Sequence, residues 1–117
     1  MGNTAKIPVD PEAFSKFIET AKLFERTRKL MRICLKNWYR EDIGGFIGDM
    51  RAGPDHVFGE YKFENEGVSL SKSFSYDPPL DYISVWVRIY DEEDCYVAEY
   101  TAFYDRDLVC FDEKLKT

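Results

Sequence analysis

A chain of 117 residues and 13.8 kDa has room for one hydrophobic core and not for two. Aromatic residues at 16% exclude a disordered chain, and every uncharged apolar run is far too short to cross a bilayer. A net charge of -6 and a pI near 4.8 oppose nucleic acid as the main partner, because a duplex binder must supply a positive field.

Residues 1–9 read as a short mobile tail. It has no apolar stretch of a secretory signal, and Lys6 stands where a myristoylation pattern needs Ser or Thr. Asp10-Pro11-Glu12 then predicts a helix start: a capping carboxylate, a proline suited to the first helical position, and an acid at the positive end. No Gly or Pro follows before Gly44, so one long helix is expected to about Tyr39. Phe14, Phe17, Ala21, Phe24, Met31, Leu35 and Trp38 form its apolar stripe, which Arg28 interrupts. Lys22, Lys29 and Lys36, flanked by Arg26 and Arg32, make a basic arc beside it. Leu23, Leu30 and Cys34 form a weaker apolar seam; Leu23 and Leu30 read as meeting the chain's own loops, with a second contact surface as the alternative. Gly44-Gly45 reads as the helix stop.

Beyond Ile43 the period becomes two. A short strand is expected near Phe46–Met50, with Arg51 to Asp55 as the turn after it. Residues 57–64 and 68–76 read as a hairpin around Asn65-Glu66-Gly67, with serines at every second position of its return strand. Asp77-Pro78-Pro79 should end the pairing. Tyr82–Tyr90 is the clearest strand: Ile83, Val85, Val87 and Ile89 point one way, and Tyr82, Ser84, Trp86, Arg88 and Tyr90 the other. Asp91-Glu92-Glu93-Asp94 turns the chain into a strand from Cys95 to Tyr104. Asp105-Arg106-Asp107 turns it into a last strand, Leu108–Phe111.

The sum is an α+β domain over residues 10–117. One long N-terminal helix packs against Ile83, Val85, Val87 and Ile89 of an antiparallel meander of five or six strands. In element order this resembles the cystatin-like and NTF2-like folds. That resemblance implies an architecture and carries no activity.

Few residues invite chemistry. His56 is the lone histidine, so no multi-histidine site forms. Nucleophile elbows, phosphate loops and zinc motifs are absent. The run Asp91–Asp94 lacks calcium-loop spacing and reads as a solvated turn. Cys34, Cys95 and Cys110 are irregularly spaced and predict reduced thiols in a cytoplasmic protein; Cys34, between Arg32 and Lys36, is the best placed to be activated. No catalytic residue, metal or cofactor is expected.

The charge is unevenly divided. Residues 1–40 hold nine Lys/Arg and four Asp/Glu, and residues 41–117 hold seven and eighteen. Tyr82, Trp86 and Tyr90 fall on one side of their strand, and Tyr96, Tyr100 and Tyr104 on one side of the next. If the rows share a face, they make an aromatic surface rimmed by acids. The expected function is a small acidic protein-binding module, inhibitor or immunity-like, for a basic partner. Its contact residues would be Tyr82, Trp86, Arg88, Tyr90, Asp91, Glu92, Glu93, Asp94, Tyr96, Tyr100, Asp105 and Asp107. The alternatives are a ligand-binding or enzymatic pocket lined by Tyr61, Tyr82, Trp86 and Tyr100, or a homodimeric scaffold. Nucleic-acid binding through the basic arc and membrane association are disfavoured.

Overall fold

The computed structural model describes residues 10–117; the expected tail, residues 1–9, lies outside them. The first helix signal acts as anticipated. Asp10 caps helix α1 (Pro11–Thr20), its carboxylate accepting the Ala13 N–H at 3.0 Å, with Pro11 at the start and Glu12 in the first turn. The helix does not run on to Tyr39. Lys22 takes a left-handed conformation, φ 53°, and helix α2 (Leu23–Glu41) begins afresh. The single long helix is therefore two, and the break re-phases the apolar face. At intervals of four, α2 buries Leu23, Thr27, Met31 and Leu35, with Leu30, Cys34 and Trp38 packed at the flanks. Leu23 and Leu30 thus belong to the core and not to a second surface.

Two short helices follow where a strand and a turn were expected. Helix α3 (Ile43–Met50) is capped by Asp42, whose carboxylate accepts the Gly45 N–H at 3.0 Å. A Cβ on Gly45 would overlap that carboxylate, so this glycine serves a helix start and not a stop. Phe46 and Met50, one turn apart, are fully buried. Phe46 meets Trp38 and Tyr39 of α2 edge-on, with ring centroids 5.0 and 5.4 Å away. Tertiary burial here outweighs the poor helix propensity of three glycines. Helix α4 (Pro54–Glu60) occupies the first half of the segment, residues 57–64, expected to open the first hairpin. Pro54 and Asp55 are helix-start residues, and buried Val57 anchors the turn to the core.

Among the described residues, the sheet has four antiparallel strands instead of five or six: β1 (Lys62–Ser73), β2 (Leu80–Tyr90), β3 (Tyr96–Tyr104) and β4 (Cys110–Lys116), in that spatial order. The expected hairpin is one strand. Asn65-Glu66-Gly67 is a bulge within β1, where Asn65 pairs with Val87 and Gly67 with Trp86. Gly67 is needed because the Trp86 indole lies against its backbone, where a Cβ would overlap the ring. Pairing stops at Ser73 and Leu80, either side of Asp77-Pro78-Pro79.

The helices lie on one face of the sheet, with α2 over β2 and β3. Ile83, Val85, Val87 and Ile89 are fully buried beneath α2. By register they stand beside Tyr104, Ala102, Tyr100 and Ala98, so large and small side chains alternate along β3. The Thr27 hydroxyl donates to the Leu23 carbonyl and accepts from the Tyr104 hydroxyl, each at 2.8 Å, which satisfies both buried groups. Arg28, which interrupts the apolar stripe, donates to the Phe63 carbonyl at 2.6 Å and to the Asn65 side chain at 2.8 Å, holding the edge strand at its bulge. Among the described residues, no helix is long and apolar enough to cross a membrane.

Candidate functional site

Among the described residues, no helix covers the sheet face away from α2. Strand alternation sets on it Ser69 and Ser71 of β1, Tyr82, Ser84, Trp86, Arg88 and Tyr90 of β2, and Glu99, Thr101 and Phe103 of β3. The alternating serines do lie on this open face. Trp86 sits at its centre over Gly67. At one end Tyr90 and Tyr96 meet edge-on, 6.3 Å between ring centroids. At the other, Tyr82 stands 6.2 Å from Phe111 at 90° and 6.0 Å from Phe103 at 59°. These three rings, with Tyr76, Leu80, Ser73 and Asp112, line a depression of about 170 Å³.

The two tyrosine rows do not share this face. Tyr100 and Tyr104 turn into the core, so Tyr100 is removed from the expected contact residues. Its hydroxyl donates to Glu113 at 2.6 Å, and burial together with that carboxylate pushes its pKa well above the usual tyrosine value. Tyr96 alone reaches the open face. A register shift pairs it with Tyr90 while Ala98 pairs with Ile89, leaving Val97 as the extra residue. The pocket expected from Tyr61, Tyr82, Trp86 and Tyr100 does not assemble either. Tyr61 is buried with its hydroxyl donating to the Met50 carbonyl at 2.6 Å, and Tyr100 lies under α2, while Tyr82 and Trp86 are on the opposite face.

The acidic turns have structural work of their own. Asp91 accepts the N–H groups of Glu93 and Cys95, each at 2.9 Å. Asp105 accepts those of Asp107 at 2.9 Å and Val109 at 3.0 Å. In both turns the fourth residue is left-handed, Asp94 at φ 64° and Leu108 at φ 62°. The same aspartate-closed turn is therefore used twice. Glu92 pairs with His56 at 3.0 Å, Asp94 pairs with Lys62, and Arg51 lies 3.7 Å from Asp91. Arg88 is held on the open face by Glu99 at 3.1 Å and Glu66 at 3.9 Å. Glu93 and Asp107 project without an ion pair among the described residues.

His56 lies on α4; about half exposed, it meets Tyr61 edge-on, 5.6 Å between ring centroids. Cys34 is not activated. Burial, and then the Glu113 charge, push its thiol up to about 11, and the cations of Arg32 and Lys36 lie over the Phe58 ring, 5.5 and 5.9 Å from its centroid. Among the described residues, no group of three or more His, Cys, Asp or Glu is placed to hold a metal ion.

Sequence reasoning missed Tyr76, Phe103 and Phe111. Phe103 carried a usable signal, since pairing Ala102 with Val85 turns its neighbour outward. Phe111 carried none, because it arrives through a bulge that pairs Tyr104 with Cys110 and Phe103 with Asp112. Comparisons with family models, curated proteins and solved structures find no match to this chain.

Proposed function

We propose that the protein is a binding module that docks a basic protein on the open face of its sheet, as a stoichiometric inhibitor or immunity-type protein does. The observation that carries this reading is the coincidence of an uncovered aromatic face with the acidic layer of the molecule. From Lys62 onward the sheet half holds thirteen acidic and six basic residues, whereas residues 10–61 hold nine of each. Aromatic residues supply anchors, and surrounding carboxylates steer a cationic partner toward them. The cytoplasm is part of the proposal, resting on free thiols at Cys34, Cys95 and Cys110.

A ligand-pocket reading has less support. The aromatic depression is small beside typical ligand sites of about 300 Å³ or more. Two broader troughs, of about 380 Å³ around Lys62, Glu64, Glu66 and Tyr90 and about 360 Å³ around Leu30, Cys110 and Glu113, are open over much of their extent.

The test is affinity capture from native extract at about 50 mM and about 500 mM salt, spanning a large change in screening. The baits are the wild-type chain, Tyr82→Ser/Phe111→Ser on the open face, and Lys29→Glu on α2. We expect one basic protein held stoichiometrically by wild type and Lys29→Glu at low salt, released at high salt, and lost by the double variant. Capture that survives the double variant, ignores salt, or yields only a second copy of this chain would contradict the reading.

A further inference from the structure

The aromatic depression has a composition that selects charge as well as shape. Tyr82, Phe103 and Phe111 meet at steep angles, 59° and 90°, and so make a corner and not a stack. A corner offers π density from more than one direction, and ring faces attract cations. Tyr76, 53% exposed on the loop between β1 and β2, lines a further part of it, and Phe111 is 43% exposed. The polar groups in the lining are Ser73, the tyrosine hydroxyls and Asp112.

Asp112 differs from the other carboxylates nearby. Asp81 is paired with Lys72 at 3.1 Å and Arg106 at 3.6 Å, and Glu99 with Arg88. Asp112 makes no ion pair among the described residues; one of its oxygens accepts the Glu113 N–H at 2.9 Å, which fixes its position. An oriented carboxylate without a cation, set beside a corner of aromatic rings, is complementary to a planar cation that can stack on a ring and donate to the carboxylate at once.

We infer that this corner is the pocket for an arginine side chain of the protein partner. The inference rests on the basic-partner reading above and names the group on which that partner is anchored. Guanidinium fits better than ammonium because it is planar, weakly hydrated and presents a fork of donors. The size agrees: about 170 Å³ is room for one side-chain head.

The test uses N-acetyl-arginine methylamide, whose only charge is the guanidinium, titrated into the full chain and followed by aromatic NMR. The comparators are the citrulline and lysine counterparts. The arginine probe should shift the resonances of Tyr82, Phe103 and Phe111, citrulline should not, and lysine should bind more weakly. Asp112→Asn and Phe111→Leu should each weaken arginine binding by about fivefold or more, a typical cation–π or charge-assisted loss. The backbone amide spectrum of each variant shows whether it is folded, and Asp112→Asn keeps the shape of the side chain. Equal binding of citrulline, tighter binding of lysine, shifts located elsewhere, or an unchanged Asp112→Asn would overturn the assignment. If the probe fails while the basic partner is still captured on the open face, the arginine pocket falls and the binding reading stands. If the probe binds and no partner is captured, the reverse holds.

Discussion

At the residue scale, the decisive groups are those whose environment contradicts their type. Cys34 is the thiol that the sequence places best for activation, between Arg32 and Lys36, though a structural role is expected of it. In the fold those cations lie over Phe58, and burial beside Glu113 keeps the thiol protonated. Tyr100 and Cys110 are also shifted upward, each chiefly by burial. All three groups hold their protons in the folded chain at pH values where the unfolded chain has lost them. Their contribution is therefore complete below the unfolded thiol value of about 9 and is lost as pH rises toward the folded values. The urea midpoint is expected to hold from pH 7 to about 8.5 and then to fall toward pH 11. The fall should be shallower in Cys34→Ser, which removes the titrating thiol at nearly the same size. A flat midpoint from pH 8 to 11 would contradict this placement of the three groups.

At the element scale, what was legible depended on whether the signal was local. Asp10-Pro11-Glu12 is a local signal, and the cap forms as read. The two central strands were legible because the alternation from Ile83 to Ile89 answers to one buried face. Ile43–Met50 was misread because its glycines suggest a turn, while the burial of Phe46 against Trp38 and Tyr39 is a tertiary fact. The bulges at Asn65–Gly67, at Val97 and at Phe111 were invisible for the same reason. Each moves side chains from one face to the other without altering the local pattern, so nothing in the residue alternation separates Tyr96 from Tyr100.

The break between α1 and α2 is the plainest case. Lys22 is exposed and left-handed, with no glycine to announce it. A left-handed residue with a Cβ costs about 1–2 kcal/mol, part of which glycine recovers after its own loss of chain entropy. Lys22→Gly is expected to be neutral or to stabilise by up to about 1 kcal/mol, or about 4 °C in Tm, measured by thermal unfolding. A loss of about 1 kcal/mol, as for glycine placed inside a helix, would mean that α1 and α2 are continuous in solution.

At the scale of the whole molecule, the chain divides into two layers of different charge. The helical layer is balanced, and its basic arc is partly engaged: Arg32 and Lys36 lie over Phe58 and neighbouring Arg28 binds the edge strand. The sheet layer is acidic and carries the uncovered aromatic face. Its edges are poor templates for strand addition. β1 has a bulge held by Arg28, and on β4 Asp112 covers the Glu113 N–H. On the proposed reading, association falls on the face and not on the edges. Seven of the expected contact residues belong to the two acidic turns or are buried, and the geometry gives several of them turn-building and ion-pairing roles. The aromatic part of the expected site was legible in β2, where alternation alone assigns the face, and not in β3 or β4, where bulges decide it.

On the proposed function, the open face and not the helical layer meets the partner. Hydroxyl-radical footprinting of the free and partner-bound chain tests it most directly, because aromatic side chains report their own exposure. Tyr76, Tyr82, Trp86 and Phe111 are expected to lose reactivity in the complex, while Ile33 on α2 and Ile47 on α3, both exposed in the free chain, keep theirs. Protection of Ile33 and Ile47 with the open-face aromatics unchanged would contradict the account.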